Sequence, residues 1–65
     1  MPTIVVNGKQ REIEEGLSIE ALLTQLDLDP RAVAVEHNRR IVERERYDEI
    51  VVEQGDRLEI VRFVQ

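Results

Sequence analysis

Few side chains of this chain could act as a nucleophile, a base or a metal ligand. Cysteine is absent, which excludes a thiol nucleophile, a disulfide scaffold, a zinc ribbon and an iron–sulfur site. His37 is the one histidine, and a base or metal ligand needs partners that no second histidine or cysteine supplies. We interpret His37 as a residue at the end of a strand, and the sequence predicts neither a catalytic residue nor a metal site.

The other charged groups have simple interpretations. Glu12, Glu14 and Glu15 are expected to form a solvated edge that discourages strand-to-strand aggregation. Arg39 and Arg40 could meet an acidic partner, but a solvated turn is the simpler interpretation. No glycine-rich phosphate loop is present. The remaining group with latent acyl chemistry is the C-terminal carboxylate, which follows the last predicted strand and could reach into the active site of another protein.

Length and charge narrow the possible functions. A chain of 65 residues allows a single domain, residues 1–65, and leaves little room for the deep cavity of an independent enzyme. The net charge of −5 argues against nucleic-acid binding; it favours a basic protein partner or serves solubility alone. No secretory signal or membrane-spanning stretch is recognisable. We expect a cytoplasmic protein that is monomeric when free and contacts no membrane.

The order of the predicted elements defines the fold class. The Asn7-Gly8 turn predicts an opening β-hairpin, and Ser18 is a good N-cap for a helix with one apolar stripe that ends near Asp27. Asn38 is expected to bond its own backbone in a later turn. Strands are predicted, in order, over residues 3–7, 10–14, 32–37, 41–42 and 57–64. Tyr47 is expected to fill the edge of the core, and residues 50–52 are expected to return to the core. An α+β, ubiquitin-like β-grasp fold follows, with one main helix on one face of a mixed four- to five-stranded sheet.

Alternation along the last strand divides its residues between two faces. Leu58 and Ile60 should face the helix, so Val61 and Phe63 should point outward. If the first and last strands are neighbours, Val5 joins them in an exposed apolar patch, which suggests a docking surface. The alternative is that a bulge near residue 62 turns the phenylalanine into the core.

Four segments, in this order and spacing, extend over nearly the whole chain: Val5–Gly8, Leu17–Leu26, Asn38–Tyr47 and Glu53–Val64. Their most specific features are an asparagine turn, an Ile-Val-x-Arg segment and a Gly-Asp turn before a last strand of the form Leu-Glu-Ile-Val-x-Phe-Val. Together they resemble the ThiS family, the sulfur carriers of thiamine thiazole synthesis. The family often has proline where Glu43 stands and tryptophan where Tyr47 stands, and both departures are mild.

The end of the sequence is the serious departure, because the ThiS family ends in Gly-Gly and this sequence ends at Gln65. Either the full protein continues into Gly-Gly, or it cannot perform the family's chemistry. Since the last strand keeps the family form up to Val64, we expect the first.

The resemblance implies a carrier with no catalytic residue and no bound cofactor. A ThiF-like adenylyltransferase with ATP-Mg would activate the C-terminal carboxylate, a persulfide donor would supply sulfur, and a ThiG-like thiazole synthase would accept it. Val5, Val61 and Phe63 would form the docking patch, with Val64 and Gln65 as the base of the tail. Sibling carriers for molybdopterin, tRNA thiolation or cysteine synthesis, and a binding module without carrier function, are the alternatives.

Overall fold

A mixed sheet with one helix on one side forms the fold. The computed structural model describes residues 1–63. The strands are β1 (Thr3–Val6), β2 (Lys9–Glu12), β3 (Val33–His37), β4 (Arg40–Val42) and β5 (Arg57–Arg62), the helix is α1 (Ile19–Gln25), and single 3-10 turns lie at Pro30–Ala32 and Arg44–Arg46. The sheet order is β2-β1-β5-β3-β4, with β1 and β5 parallel and the other neighbours antiparallel. The predicted α+β arrangement is confirmed.

The opening hairpin turns where the sequence predicts it. Asn7 and Gly8 have φ angles of 50° and 83°, the left-handed values that a tight hairpin turn requires and that asparagine and glycine tolerate best. The returning strand β2 begins at Lys9 and ends at Glu12. Ile13 lies just past the strand and is buried.

The helix also begins and ends as its sequence signals indicate. Ser18 Oγ accepts a hydrogen bond from the Ala21 backbone N–H at 3.1 Å, which satisfies one of the free donors of the first turn. After α1, the backbone of Asp27 takes a φ of 62°, so the helix cannot continue. Its buried residues are Ile19, Leu22 and Leu23.

The core lies between α1 and the inner face of the sheet. Tyr47 is buried, and its hydroxyl donates to the Val33 carbonyl at 3.4 Å. The prediction that Tyr47 fills the edge of the core is therefore confirmed. The predicted return of residues 50–52 to the core is confirmed only in part. Val52 is buried, Ile50 is half-buried, and Val51 is exposed while it bridges to Ser18.

The side chain of Asn7 extends the sheet beyond the end of β1. Its Oδ1 accepts from the Ile60 backbone N–H at 2.7 Å, and its Nδ2 donates to the Ile60 carbonyl at 3.1 Å. The amide therefore acts as one more residue of β1 and satisfies both backbone groups of Ile60. Asn7 thus serves the turn and the position of β5 together.

Loss of this amide is expected to weaken the domain measurably. Asn7→Gly keeps a residue that tolerates positive φ but leaves both Ile60 backbone groups without their partner. We expect the free energy of unfolding to fall by about 1–3 kcal/mol, measured by urea denaturation. Asn7→Asp keeps the acceptor for the Ile60 N–H and should lose less. Equal stability of Asn7→Gly and the parent would show that these two bonds contribute nothing net.

Candidate functional site

The end of β5 presents apolar side chains on the open face of the sheet. Val61 is 61% exposed and Phe63 is 53% exposed. The pairing of β5 with β3 continues without a bulge to Arg62, and the Phe63 backbone N–H donates to the Ala32 carbonyl at 2.9 Å. The outward orientation is therefore confirmed, and the alternative of a core phenylalanine after a bulge is wrong.

Val5 does not join these residues, although β1 and β5 are neighbours. Its partner across the parallel pair is Arg57, four residues before Val61, or roughly 13 Å at about 3.3 Å per residue. Val5 is also half-buried. The predicted continuous patch of three residues is therefore wrong in its geometry, because only the pairing register decides which outward residues become neighbours.

Ala34 takes the place that the prediction assigned to Val5. It lies directly opposite Val61 in the antiparallel pairing of β3 and β5, and it is exposed. We call Ala34, Val61 and Phe63 the terminal patch. Val64 and Gln65, the predicted base of the tail, lie outside the described residues, so their role remains a prediction.

Two carboxylates border the terminal patch. Glu36 lies directly opposite Glu59 on the same face, and both side chains are exposed. Neither forms an ion pair with another residue between 1 and 63. Like charges directly opposite each other destabilise a sheet, and a cation from a partner would relieve the repulsion. This face therefore combines an apolar patch with two neighbouring carboxylates.

A polar network ties the start of β5 to the turn between β3 and β4. His37 Nε2 lies 2.8 Å from Asp56 Oδ2, and Asn38 Nδ2 donates to Asp56 Oδ1 at 3.1 Å. Asn38 Oδ1 accepts from the Arg57 N–H at 2.9 Å, and Asp56 Oδ2 accepts from the Glu53 N–H at 2.8 Å. His37 ends β3 as predicted, and the network positions β5 at the end opposite the terminal patch.

Asn38 serves its turn differently from the prediction. Its φ of 51° places it in the left-handed region, which asparagine tolerates. Its side chain, however, bonds to Asp56 and Arg57 rather than to its own backbone. The expected local bond is therefore wrong, because two partners brought close by the tertiary fold satisfy both ends of the amide.

The network also shifts the ionisation of Asp56. Partial burial alone would raise the pKa of this carboxyl, but hydrogen bonds from His37, Glu53 and Asn38 outweigh it and hold the pKa below its ordinary value. The folded state binds the proton of Asp56 less tightly than the unfolded state does. Ionised Asp56 therefore stabilises the fold at pH values above the pKa that this carboxyl has in the unfolded chain. This contribution to stability is lost as the pH falls through the lowered pKa of Asp56 in the folded state.

Acid titration should therefore separate Asp56 from an ordinary surface carboxylate. Below about pH 4, we expect the free energy of unfolding of the parent to decrease partly through protonation of Asp56. Asp56→Asn should be less stable at neutral pH, and its free energy of unfolding should decrease less on acidification. Urea denaturation between pH 7 and pH 2 measures both, with the exposed Asp48→Asn as control. Identical pH slopes for Asp56→Asn and the parent would contradict the assignment.

The described residues hold no arrangement suited to a metal. Between residues 1 and 63, no group of three or more His, Cys, Asp or Glu side chains could hold a metal ion. No helix in that range is long and apolar enough to cross a membrane. The exposed end of β5 remains the candidate functional site.

A helix packed on one face of a β2-β1-β5-β3-β4 sheet, with the C-terminal strand at its centre, defines a ubiquitin-like β-grasp domain. The family model described as "ThiS family" matches residues 4–65. The chain belongs to the ThiS family, the sulfur carriers of thiamine biosynthesis, and the predicted resemblance is confirmed.

Similar proteins support this assignment. A crystal structure of thiamine biosynthesis protein ThiS from Geobacter metallireducens superposes with a TM-score of 0.86 at 33% identity, covering 97% of this chain and 96% of that one. The sulfur carrier protein ThiS of Bacillus subtilis is 37% identical over 60 residues, 91% of either protein. A thiazole synthase of Paramagnetospirillum magneticum is 44% identical over 61 residues, 94% of this chain. The chain spans only 19% of that synthase, and likewise of one from Magnetococcus marinus.

Proposed function

We propose that this ThiS-family sulfur carrier domain carries its sulfur as a C-terminal thiocarboxylate, which a thiazole synthase consumes. A ThiF-like adenylyltransferase would first join the C-terminal carboxylate to AMP at the expense of ATP-Mg, in the cytoplasm. A carboxylate is a poor electrophile, whereas the acyl-adenylate has AMP as a good leaving group. The terminal sulfur of a persulfide donor would then attack the acyl carbon and displace AMP, and a thiol reductant would cleave the S–S bond of the resulting acyl disulfide to leave the thiocarboxylate and the donor's thiol.

The observation that carries this proposal is the position of the terminal patch. β5 lies at the centre of the sheet between β1 and β3, so its direction is held on both sides. Val61 and Phe63 are exposed at its C-terminal end, immediately before the residues that would enter a partner's active site. A protein that binds this patch would receive the following residues in a defined position, and such positioning is a large part of catalysis.

In this proposal the carrier itself is not an enzyme. The side chains around the terminal patch within residues 1–63 are apolar or acidic, and none is an activated nucleophile or a base in a pair. The adenylyltransferase and the synthase would supply the reacting groups. The carrier would supply the surface that its partners recognise and the C-terminus that enters their active sites. The chemistry requires two terminal glycines after Gln65, because residues without Cβ can thread a narrow channel in an extended form.

The thiazole synthase relatives favour that enzyme as the sulfur acceptor. A segment similar to this chain occurs within proteins named thiazole synthase. When a carrier-like segment and a synthase share one polypeptide, the carrier's effective concentration at the synthase is high. We infer that the present domain works with the same kind of acceptor, whether the two are joined or separate.

Mass spectrometry of the carrier tests the proposal. The chain extended by Gly-Gly would be incubated with ATP-Mg, a ThiF-like adenylyltransferase, a persulfide donor and a thiol reductant. We expect the mass to increase by one exchange of oxygen for sulfur, and the product to support thiazole formation by the synthase. A chain extended by two bulky residues is the matched control. Absence of any mass gain with a competent enzyme would contradict the carrier chemistry, and transfer only to other acceptors would contradict the thiazole assignment.

A further inference from the structure

A groove of about 390 Å³ opens on the helix side of the sheet, beside the end of β5. Its floor is apolar and consists of Val6, Leu26, Leu28 and Ile60. The volume lies in the range of clefts that bind ligands or partner side chains. Because successive residues of β5 face opposite sides, this groove and the terminal patch lie on the two faces of the same strand end.

The rim of the groove is strongly basic in an acidic protein. Lys9, Arg11 and Arg62 line it together with Asn7, whereas no acidic residue between 1 and 63 does so, although the chain holds 14 acidic residues and 9 basic ones. None of the three cations forms an ion pair with another residue in that range. Cations gathered around an apolar floor create a local positive potential that attracts an anionic partner.

The edge of β5 beside the groove offers unused backbone groups. The Phe63 N–H bonds to Ala32 on the β3 side, so the N–H and carbonyl of Arg62 point to the other side, as those of Ile60 do. On that side Asn7 ends the pairing at Ile60, and no strand within residues 1–63 runs beside Arg62. An extended segment from another protein can hydrogen-bond to such an edge.

We propose that this groove binds an extended segment of alternating apolar and acidic residues from the adenylyltransferase that receives the C-terminus. Apolar side chains would lie on Leu28 and Ile60, and carboxylates would pair with Lys9, Arg11 and Arg62. The inference rests on the proposed function for the identity of that protein. Charge complementarity selects the acidic segment, and continuity with the terminal patch selects the partner, since a protein enclosing the end of β5 meets both faces.

A short peptide of this chemistry provides the direct test. A capped hexapeptide of alternating leucine and aspartate would be titrated into the ¹⁵N-labelled protein at low and high salt. We expect amide shifts at Lys9, Arg11 and Arg62, a Kd below about 1 mM, and weaker binding at high salt. The same peptide with lysine in place of aspartate should not bind. Equal binding of both peptides, shifts confined to the terminal patch, or no shift at all would overturn the proposal.

Paired charge substitutions distinguish the groove from general electrostatics. Lys9→Gln with Arg62→Gln should weaken peptide binding at least about tenfold. Arg39→Gln with Arg40→Gln, which changes the net charge equally at exposed positions beside the start of β4, should not. In the adenylation assay the first pair should raise KM and leave kcat unchanged. Unaltered peptide binding and KM would overturn the groove assignment alone, whereas a missing thiocarboxylate on the Gly-Gly-extended chain without these substitutions would overturn the proposed function.

Discussion

Replacing Phe63 by alanine is expected to lower kcat/KM for adenylation of the carrier about thirtyfold, with almost no loss of stability. The ring is 53% exposed at the end of β5, so its removal leaves no internal cavity. Aromatic anchors at the centre of an interface typically contribute about 2 kcal/mol or more to binding. Steady-state release of pyrophosphate by the adenylyltransferase, with the Gly-Gly-extended chain as substrate, measures the effect.

The control for this experiment is Ile41→Ala. Ile41 lies on the same face of the sheet and is 81% exposed, but it belongs to β4 and lies outside the terminal patch. Its removal should change adenylation little. Urea denaturation of both variants shows whether the fold is retained. A large loss of stability in Phe63→Ala with normal adenylation would contradict the docking role, and so would equal kinetic defects in the two variants.

Leu58→Ala is expected to have the largest effect on stability of any single substitution in β5. Leu58 is fully buried in the central strand, on the face that packs against α1. Removing such a side chain costs about 2–5 kcal/mol through lost burial and the cavity left behind. A domain of this size is stable by only about 3–5 kcal/mol, so the variant should be largely unfolded at room temperature. Far-UV circular dichroism and urea denaturation measure the loss.

Val61→Ala is the matched control on the same strand. Its side chain is 61% exposed, and a surface substitution of this kind changes stability by about 0.5 kcal/mol or less. Leu58→Ile should recover most of the stability, because it conserves the buried volume. Comparable losses for Leu58→Ala and Val61→Ala would contradict the assignment of the two faces of β5.

These two predictions separate the two functions of one strand. Leu58 holds β5 in the core, while Phe63 presents the end of the strand to a partner. Alternation along the strand already indicates this division in the order of the residues, since every second side chain faces the same way. Phe63→Ala should therefore impair adenylation while it leaves the stability of the fold intact.

Local sequence signals determined most of the elements of this protein. The Asn7-Gly8 turn, the Ser18 cap and the outward orientation of Val61 and Phe63 depend on neighbours in the chain, and residues a few positions apart have few possible geometries. Element order then indicated the β-grasp fold, because few arrangements cover one apolar face with a single helix.

Only the tertiary structure decided which distant residues are neighbours. The register places Val5 beside Arg57 and Ala34 beside Val61, and no local pattern sets that alignment, since the partners lie far apart in the chain. The basic groove likewise joins Lys9 on β2 with Arg62 on β5, two cations from opposite ends of the sequence. Alternation assigns each side chain a face, but long-range strand pairing and helix packing determine what lies next to it.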